Sequence, residues 1–504
     1  MASIRLEDLG KHIDKKKLPS GNVFTDKNIQ AIFGHEAADD EDIDRLKKYF
    51  VKNIFFEKLT SDLKLRIAVG HKGIGKSALF RIAASEDINN EVLPIFIKPD
   101  DIIELKNATT DFLKDIRKWK EGLRRIIYGK ILDNLGVVEK DSGLLDYLLT
   151  IGGKVGGYIK EQITDDEKPL NQAIEKARGL YKKHQKVNVY IDDLDRGWKG
   201  REEDISMISA LMNAVRDISN EDDNIHFKIA LRSDVYFLFR RSDESTDKVG
   251  GSVFWLSWSN HEILALLVKR IGAFWGREVD ETTLFQMHQA ELAKYLDVII
   301  SPVFEGAGHW ENAPIRKVLL SLIRKRPRDI VKLCTLAAQS AYLRGSNTIE
   351  TTDWEDAFPT YSNDRLLDTE IEYKSELPEL MRLMLGMKPS VKKAKARDSY
   401  EFTTDELLKK IEGIEERGKF AFSNGKSATT EELAHFLYKI NFITARRKNA
   451  AGKIVRKYFE DHNYLMQPYV DFGFSWEVHP AYRWALQPDD PKNVYLRLEL
   501  LDFE

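Results

Sequence analysis

Eight consecutive residues, Gly70-His71-Lys72-Gly73-Ile74-Gly75-Lys76-Ser77, match the pattern G-x4-G-K-[ST] in full. The pattern is suited to holding phosphate. Its glycines let successive backbone N–H groups turn inward around phosphate oxygens, and a helix that opens at its end adds positive potential. On this reading Gly70, Lys72, Gly73, Ile74, Gly75, Lys76, Ser77 and Ala78 line the cradle. Lys76 reaches the outer phosphates of a nucleotide, and the Ser77 hydroxyl completes the shell of a Mg²⁺ ion. The flanks supply the required context: an apolar run, Arg66-Ile67-Ala68-Val69, precedes the motif, and Ala78-Leu79-Phe80-Arg81-Ile82 reads as the start of a helix. A glycine-rich turn without a ligand would not explain motif and flanks together.

A second segment, Val189-Tyr190-Ile191-Asp192-Asp193-Leu194-Asp195, sets carboxylates at the carboxyl end of an apolar strand, the edge of a parallel sheet where ligands sit. Asp192 is the candidate Mg²⁺ ligand. Asp193 is the candidate to orient or deprotonate an attacking water. A pair of acids suits hydrolysis, whereas one alone would suit binding. Asp195 is read as a cap for the following helix, with a subunit contact as the alternative. Four arginines are candidate partners of developing phosphate charge. Arg232, followed by Ser233, ends the run Ile229-Ala230-Leu231; Arg240 and Arg241 follow it, placed to reach a neighbouring subunit's nucleotide. Arg328 stands in Arg326-Pro327-Arg328-Asp329 at a helix start, where Pro327 suits the first turn. Each has a plainer alternative as a strand-end turn or solvated surface charge.

The elements that would carry these residues follow from hydropathy. Short apolar runs at 66–69, 92–98, 187–191, 227–231 and 253–256, separated by helical stretches, predict a parallel α/β sheet. Residues 107–185 read as mostly helical, with Gly152-Gly153 and Gly156-Gly157 as a joint. An acidic helix is expected with Glu36, Asp39, Asp40, Glu41, Asp42 and Asp44 at its front, ahead of the apolar Ile43, Leu46 and Phe50, and helices continue from about 260 to 385. Met387–Arg397, with five basic residues and no acid, reads as a linker. Beyond it, helices near 404–416, 428–440 and 452–462 and a hairpin of 464–467 with 474–478 give the order of a winged helix. Arg446, Arg447, Lys448, Lys453, Arg456 and Lys457 cluster there, ahead of Tyr458, Tyr464 and Trp476. On a winged helix the cluster offers contacts to DNA phosphates; the alternative is a solvated or protein-docking face. Tyr482 and Trp484 read as core.

Composition narrows the class. A 42% hydrophobic share rules out wholesale disorder. The formal net charge of −3 argues against a surface built throughout for nucleic acid, while leaving room for a basic domain balanced by acidic ones. The single cysteine, Cys334, excludes an intramolecular disulfide and a cysteine metal cluster, which fits a cytoplasmic setting; buried packing is its expected role. The 11 histidines show no zinc-ligand spacing, and there is no apolar signal core and no apolar run of about 18 residues, so no membrane span is expected.

The order of Phe33-Gly34 with an acidic helix, the GHKGIGKS loop, the YIDDLD strand, the LRSD strand end and the RPRD helix start resembles the additional-strand P-loop ATPases. Within them it is most similar to the bacterial AAA+/STAND-like and KAP-like ATPases, including ones found in phage-defence islands. The resemblance implies 1–34 as an N-terminal segment and 35–258 as the P-loop α/β domain with an insertion at about 107–185. It implies a helical lid at 259–386, a basic linker at 387–399 and a winged-helix-like α+β domain at 400–504. It implies ATP and Mg²⁺ as cofactors, with Phe33 and Gly34 near the adenine, and Arg232 and Arg328 as first and second sensors. The second acid is Asp193 where the family commonly has glutamate, which implies slow turnover. ATP would lie between the α/β domain and the lid, near a subunit interface. Three functions follow: a Mg²⁺-dependent ATPase that couples nucleotide state to homo-oligomer assembly or to a partner effector protein, with antiphage defence implied by the resemblance alone; an ATP-gated DNA-binding protein; or an ATP-bound scaffold with little turnover.

Overall fold

The computed structural model describes residues 22–36, 38–106, 111–134, 186–196, 198, 200–242, 249–277, 280–389, 400–448, 454–460, 462, 473–487, 489, 494–495 and 498. Two compact units divide them. An α/β unit comprises Lys52–His71 and Lys76–Leu256. A largely helical unit takes the described residues up to Val51, the short segment Lys72–Gly75, and those from Ser257 onward.

In chain order, α1 (Asp26–Phe33) and α2 (Ile43–Tyr49) come first. The acidic stretch is not one helix: Ala38–Asp40 make a 3-10 turn, and the Asp42 carboxylate accepts the Arg45 N–H to start α2. A side chain that caps an orphan N–H favours a new start over a continuous helix. The α/β unit then runs α3 (Ile54–Thr60), β1 (Leu65–Gly70), α4 (Lys76–Asn89), β2 (Leu93–Ile97), α5 (Phe112–Asn134), β3 (Val187–Ile191), α6 (Glu202–Glu221), β4 (Ile225–Arg232), α7 (Ser233–Ser242) and β5 (Val253–Trp255). Of the expected 107–185 insertion, α5 is seen; the two glycine pairs lie outside the described residues.

The five strands form one parallel sheet in the order β2-β3-β4-β1-β5. Thus β4 separates the loop-bearing β1 from the acid-bearing β3, the arrangement of an additional-strand P-loop fold. Every residue of β3 is buried, as are seven of the eight in β4, because helices cover both faces of a parallel sheet. Each large apolar side chain taken from water there contributes about 1.5–3 kcal/mol. This holds the carboxyl ends of β1, β3 and β4 in fixed register: Gly70 stands opposite Arg232, and Ile191 opposite Ile229.

The helical unit continues with α8 (Asn260–Phe274), α9 (Glu281–Gln286), α10 (Gln289–Ala293), the strand pair β6 (Val303–Phe304) and β7 (Ala313–Pro314), α11 (Ile315–Leu322), α12 (Pro327–Leu343), α13 (Thr351–Tyr373) and α14 (Leu380–Gly386). Pro327 occupies the first turn of α12, as its fixed φ favours. Cys334 is buried on the same helix. At the C-terminus, β8 (Glu401–Phe402), α15 (Thr404–Glu415), α16 (Thr430–Lys439), β9 (Ile443–Lys448), β10 (Ile454–Lys457), β11 (Ser475–Val478) and α17 (Arg483–Leu486) build an α+β region around an antiparallel sheet ordered β10-β9-β11-β8. The expected helix at 452–462 is instead the strand β10. Its burial alternates, with Ile454 and Arg456 buried and Val455 and Lys457 half-buried, the period of two of a strand. The hairpin is therefore β9–β10, and Tyr464-Leu465-Met466-Gln467 lies outside the described residues. No described helix is long and apolar enough to cross a membrane.

Candidate functional site: a phosphate loop and its braces

The loop leaves β1 at Gly70 and enters α4 at Lys76. Gly73 (φ +80°) and Gly75 (φ +101°) occupy the left-handed region that glycine alone enters cheaply. The Lys76 ammonium donates to the carbonyls of Gly70 (2.8 Å) and His71 (3.1 Å), the first two residues of the motif. Ser77 and Ala78 are half-buried in the first turn of α4.

The tip of the loop is braced from outside through its carbonyls. Arg326 Nη1 donates to Lys72 O (3.3 Å), the Arg328 N–H to Gly73 O (3.3 Å), and Trp258 Nε1 to Ile74 O (2.8 Å). Carbonyl and N–H of a peptide point oppositely. Turning three successive carbonyls outward therefore leaves the N–H groups of Gly73, Ile74 and Gly75 facing the concave side, a ready anion nest. The Arg328 side chain also covers Gly73, where a Cβ would meet Arg328 Cβ at 3.0 Å. Arg328 Nε donates to Glu36 O at 3.2 Å. The same arginine thus touches both the loop tip and the segment after α1. There Phe33 is fully buried, and Gly34 (φ +82°) ends the helix with no room for a Cβ beside Arg270. Arg270 donates to Phe33 O and lies 4.3 Å over the Tyr49 ring.

At the acid strand, Asp192 is half-buried and Asp193 exposed. The Asp193 N–H donates to Asp192 Oδ1 (2.9 Å), and Asp193 takes a φ of +56°, which Asp tolerates better than most residues. Ser77 and Asp192 offer a hydroxyl and a carboxylate, the hard oxygen donors that Mg²⁺ takes alongside waters and phosphates. Asp195 does not cap α6, which begins at Glu202. Its carboxylate instead accepts from Arg232 Nη1 (3.0 Å), and Asp234 accepts from the same guanidinium (3.0 and 2.7 Å). A mostly buried arginine within hydrogen-bond reach is a stronger attraction for the Asp195 carboxylate than a helix N-terminus six residues on. Ser233 Oγ lies 2.9 Å from His71 Nδ1, both groups buried, so the end of β4 is tied to the start of the loop. Arg240 is exposed on α7, which Arg241 shares.

Arg328, expected as a sensor of the terminal phosphate, stands here against Gly73 and Glu36; Trp258, Arg326, Glu372 and Arg270 carried no expectation. Arg326 lay in the motif already quoted; nothing local marked Glu372, which stands 300 residues from the peptide it holds.

The basic C-terminal cluster is less available than its composition suggests. Arg446 and Arg456 are buried, and with Arg483 they surround the buried Glu477. Burial alone would raise the Glu477 carboxyl, but Arg456 and Arg483 hold it below the usual range. Arg447 and Lys448 remain exposed, Arg447 stacked 4.7 Å over Phe474. Lys453 and Tyr464 lie outside the described residues; Tyr458, Trp476, Tyr482 and Trp484 are buried.

Residues 262–370 match the family described as FunZ-associated C-terminal helical domain. Over 515 aligned positions the chain is 22% identical to the putative transposon gamma-delta 80.3 kDa protein of Escherichia coli K12, covering 92% of this chain and 69% of that one. Among solved structures it is similar to the Aeropyrum pernix ORC2 protein (12% identity, TM-score 0.40, 90% of this chain and 98% of that one). It is also similar to the Thermotoga maritima RuvB Holliday junction branch migration motor (12%, TM-score 0.31, 84% and 98%).

Proposed function

We propose that this chain is a Mg²⁺-dependent ATPase of the AAA+/STAND-like kind, which couples the state of its nucleotide to self-assembly or to a partner protein. The observation that carries the reading is the loop itself. A complete G-x4-G-K-S segment leaves β1 of a P-loop sheet, its tip carbonyls are turned outward, and the Lys76 ammonium is held by the carbonyls of Gly70 and His71. In this reading Gly73–Ala78 bind the phosphates through backbone N–H groups, and Lys76 neutralises the outer two. Ser77 and Asp192 would hold Mg²⁺, which would supply charge neutralisation for the phosphates. Asp193 accepts the proton of the attacking water or orients it. Arg328, reaching from the loop tip to Glu36 O, is the arginine suited to respond to the terminal phosphate, while Arg232 is committed to Asp195 and Asp234.

The test is equilibrium binding of a fluorescent ATP analogue together with steady-state hydrolysis. Lys76→Ala is expected to abolish both. Asp193→Asn is expected to keep affinity within about threefold and to lose turnover by roughly 10²-fold or more. Normal hydrolysis by Lys76→Ala would refute the site. Particle mass with ATP against ADP tests the coupling to assembly: equal masses would leave control of a partner as the output.

A further inference from the structure

We propose that Glu372 and Arg326 are a positioning pair for the phosphate loop, holding the Lys72 peptide in the one orientation that presents the following N–H groups to a phosphate. The proposal rests on the reading of the loop as a nucleotide site and assigns residues that the motif does not contain.

Both polar groups of one loop residue are held by a single ion pair. Glu372 Oε1, in the last turn of α13, accepts the Lys72 N–H at 2.9 Å. Arg326 Nη1 donates to Lys72 O and to Glu372 Oε2, each at 3.3 Å. Carboxylate and guanidinium are each 2% exposed. Burying such a pair is close to neutral or unfavourable for stability, because the desolvation of two charges offsets their attraction. Arg326 adds to that cost, since its Nε and Nη2 are buried without a hydrogen-bond partner. The pair is therefore poorly explained as a stabiliser and well explained as a device for orientation.

Its consequences for the loop are direct. With the Lys72 N–H occupied by a carboxylate, the donors left for phosphate begin at Gly73, whose φ of +80° starts the inward turn. With the Arg326 charge matched by Glu372, the arginine left to respond to phosphate is Arg328. The pair also stands on a rigid support. One and two turns before Glu372 on α13, Thr369 bonds Tyr482 (2.9 Å) and Arg365 bonds Asp329 (2.8 Å).

The test compares Glu372→Ala, Glu372→Gln and the double variant Arg326→Gln with Glu372→Gln, which buries no charge and so keeps the question open should Glu372→Ala fail to fold. Glu372→Ala is expected to weaken ATP-analogue affinity and raise KM about tenfold or more, with kcat at saturation nearly unchanged. Glu372→Gln, which keeps an acceptor for the Lys72 N–H, is expected to recover most of the affinity. In nucleotide-free protein, hydrogen exchange in peptides covering residues 70–78 is expected to rise about tenfold in Glu372→Ala and to change little in the double variant. A folded Glu372→Ala with wild-type affinity, or with unchanged exchange in that peptide, overturns the proposal. Should the wild type bind no ATP analogue, the nucleotide reading fails and the exchange measurement decides the clamp by itself.

Discussion

Asp329 holds two arginines in the interior of the helical unit. Its carboxylate receives Arg324 (2.8 and 3.0 Å) and Arg365 (2.8 Å), all three side chains being at most 2% exposed. Burial alone would push the carboxyl up, but Arg324 and Arg365 hold it well below the usual carboxylate range. Removing one partner of such a cluster leaves charge buried and uncompensated, which costs roughly 3–5 kcal/mol. Asp329→Asn is therefore expected to lower stability by about that much in denaturant unfolding, although the substitution is isosteric. The sign with pH follows from the depressed value: the stabilisation is present above the unfolded carboxyl's pKa near 4 and is lost as pH falls below it. The difference between wild type and Asp329→Asn should be level from about pH 5 to 8 and shrink only under stronger acid. A difference that shrinks between pH 8 and 5 would assign the effect to another group.

At the scale of the elements, the sheet carries polar groups among its apolar ones. Lys228 on β4 is 1% exposed, and its ammonium donates to the carbonyls of Ser61 (3.2 Å) and Leu63 (3.3 Å). Burial, with the nearby Lys186 charge, pushes its pKa down to about 7. The unfolded chain, with a lysine pKa of about 10.4, binds more protons than the folded one between these values, so stability from this group rises as pH goes from 7 towards 10. Denaturant midpoints should show wild type gaining on Lys228→Met over that window; a constant gap would mean that Lys228 stays charged when folded. The same sheet shows what was legible in the sequence. All five strands of the α/β unit stand where the apolar runs placed them, since a strand buried on both faces needs a mainly apolar run, which Asn188 on β3 and Lys228 on β4 interrupt without ending. The C-terminal sheet was not, because its core is ionic. Arg446 and Arg456 are solvated basic residues by composition, and only the fold brings Glu477, 21 residues beyond Arg456, between them. The loop was legible for the opposite reason: the groups proposed to meet phosphate are consecutive backbone N–H groups, so spacing in the chain is spacing in space. Its braces come from residues 258, 326, 328 and 372, and of these only Arg328 was singled out.

At the scale of the whole chain, the lone thiol offers a reporter. Cys334 is fully buried on α12, where burial pushes its pKa up despite the opposing pull of Arg270, so almost no thiolate exists in the folded protein. Alkylation or disulfide exchange must then await an opening of the helical unit. The first turn of the same helix donates the Arg328 N–H to Gly73 O, within the loop proposed to bind ATP. A ligand at 100 times its dissociation constant stabilises the bound form by about 2.7 kcal/mol. If the opening that exposes Cys334 also releases the loop tip, ATP should slow labelling by roughly 10²-fold, and Lys76→Ala should remove the protection. With one cysteine in 504 residues, the rate reads a single site. Protection by ATP that survives Lys76→Ala would locate the binding elsewhere. An ATP-independent rate in a protein that does bind ATP would mean that α12 opens while the loop stays intact, and would detach the helical unit from the response to nucleotide.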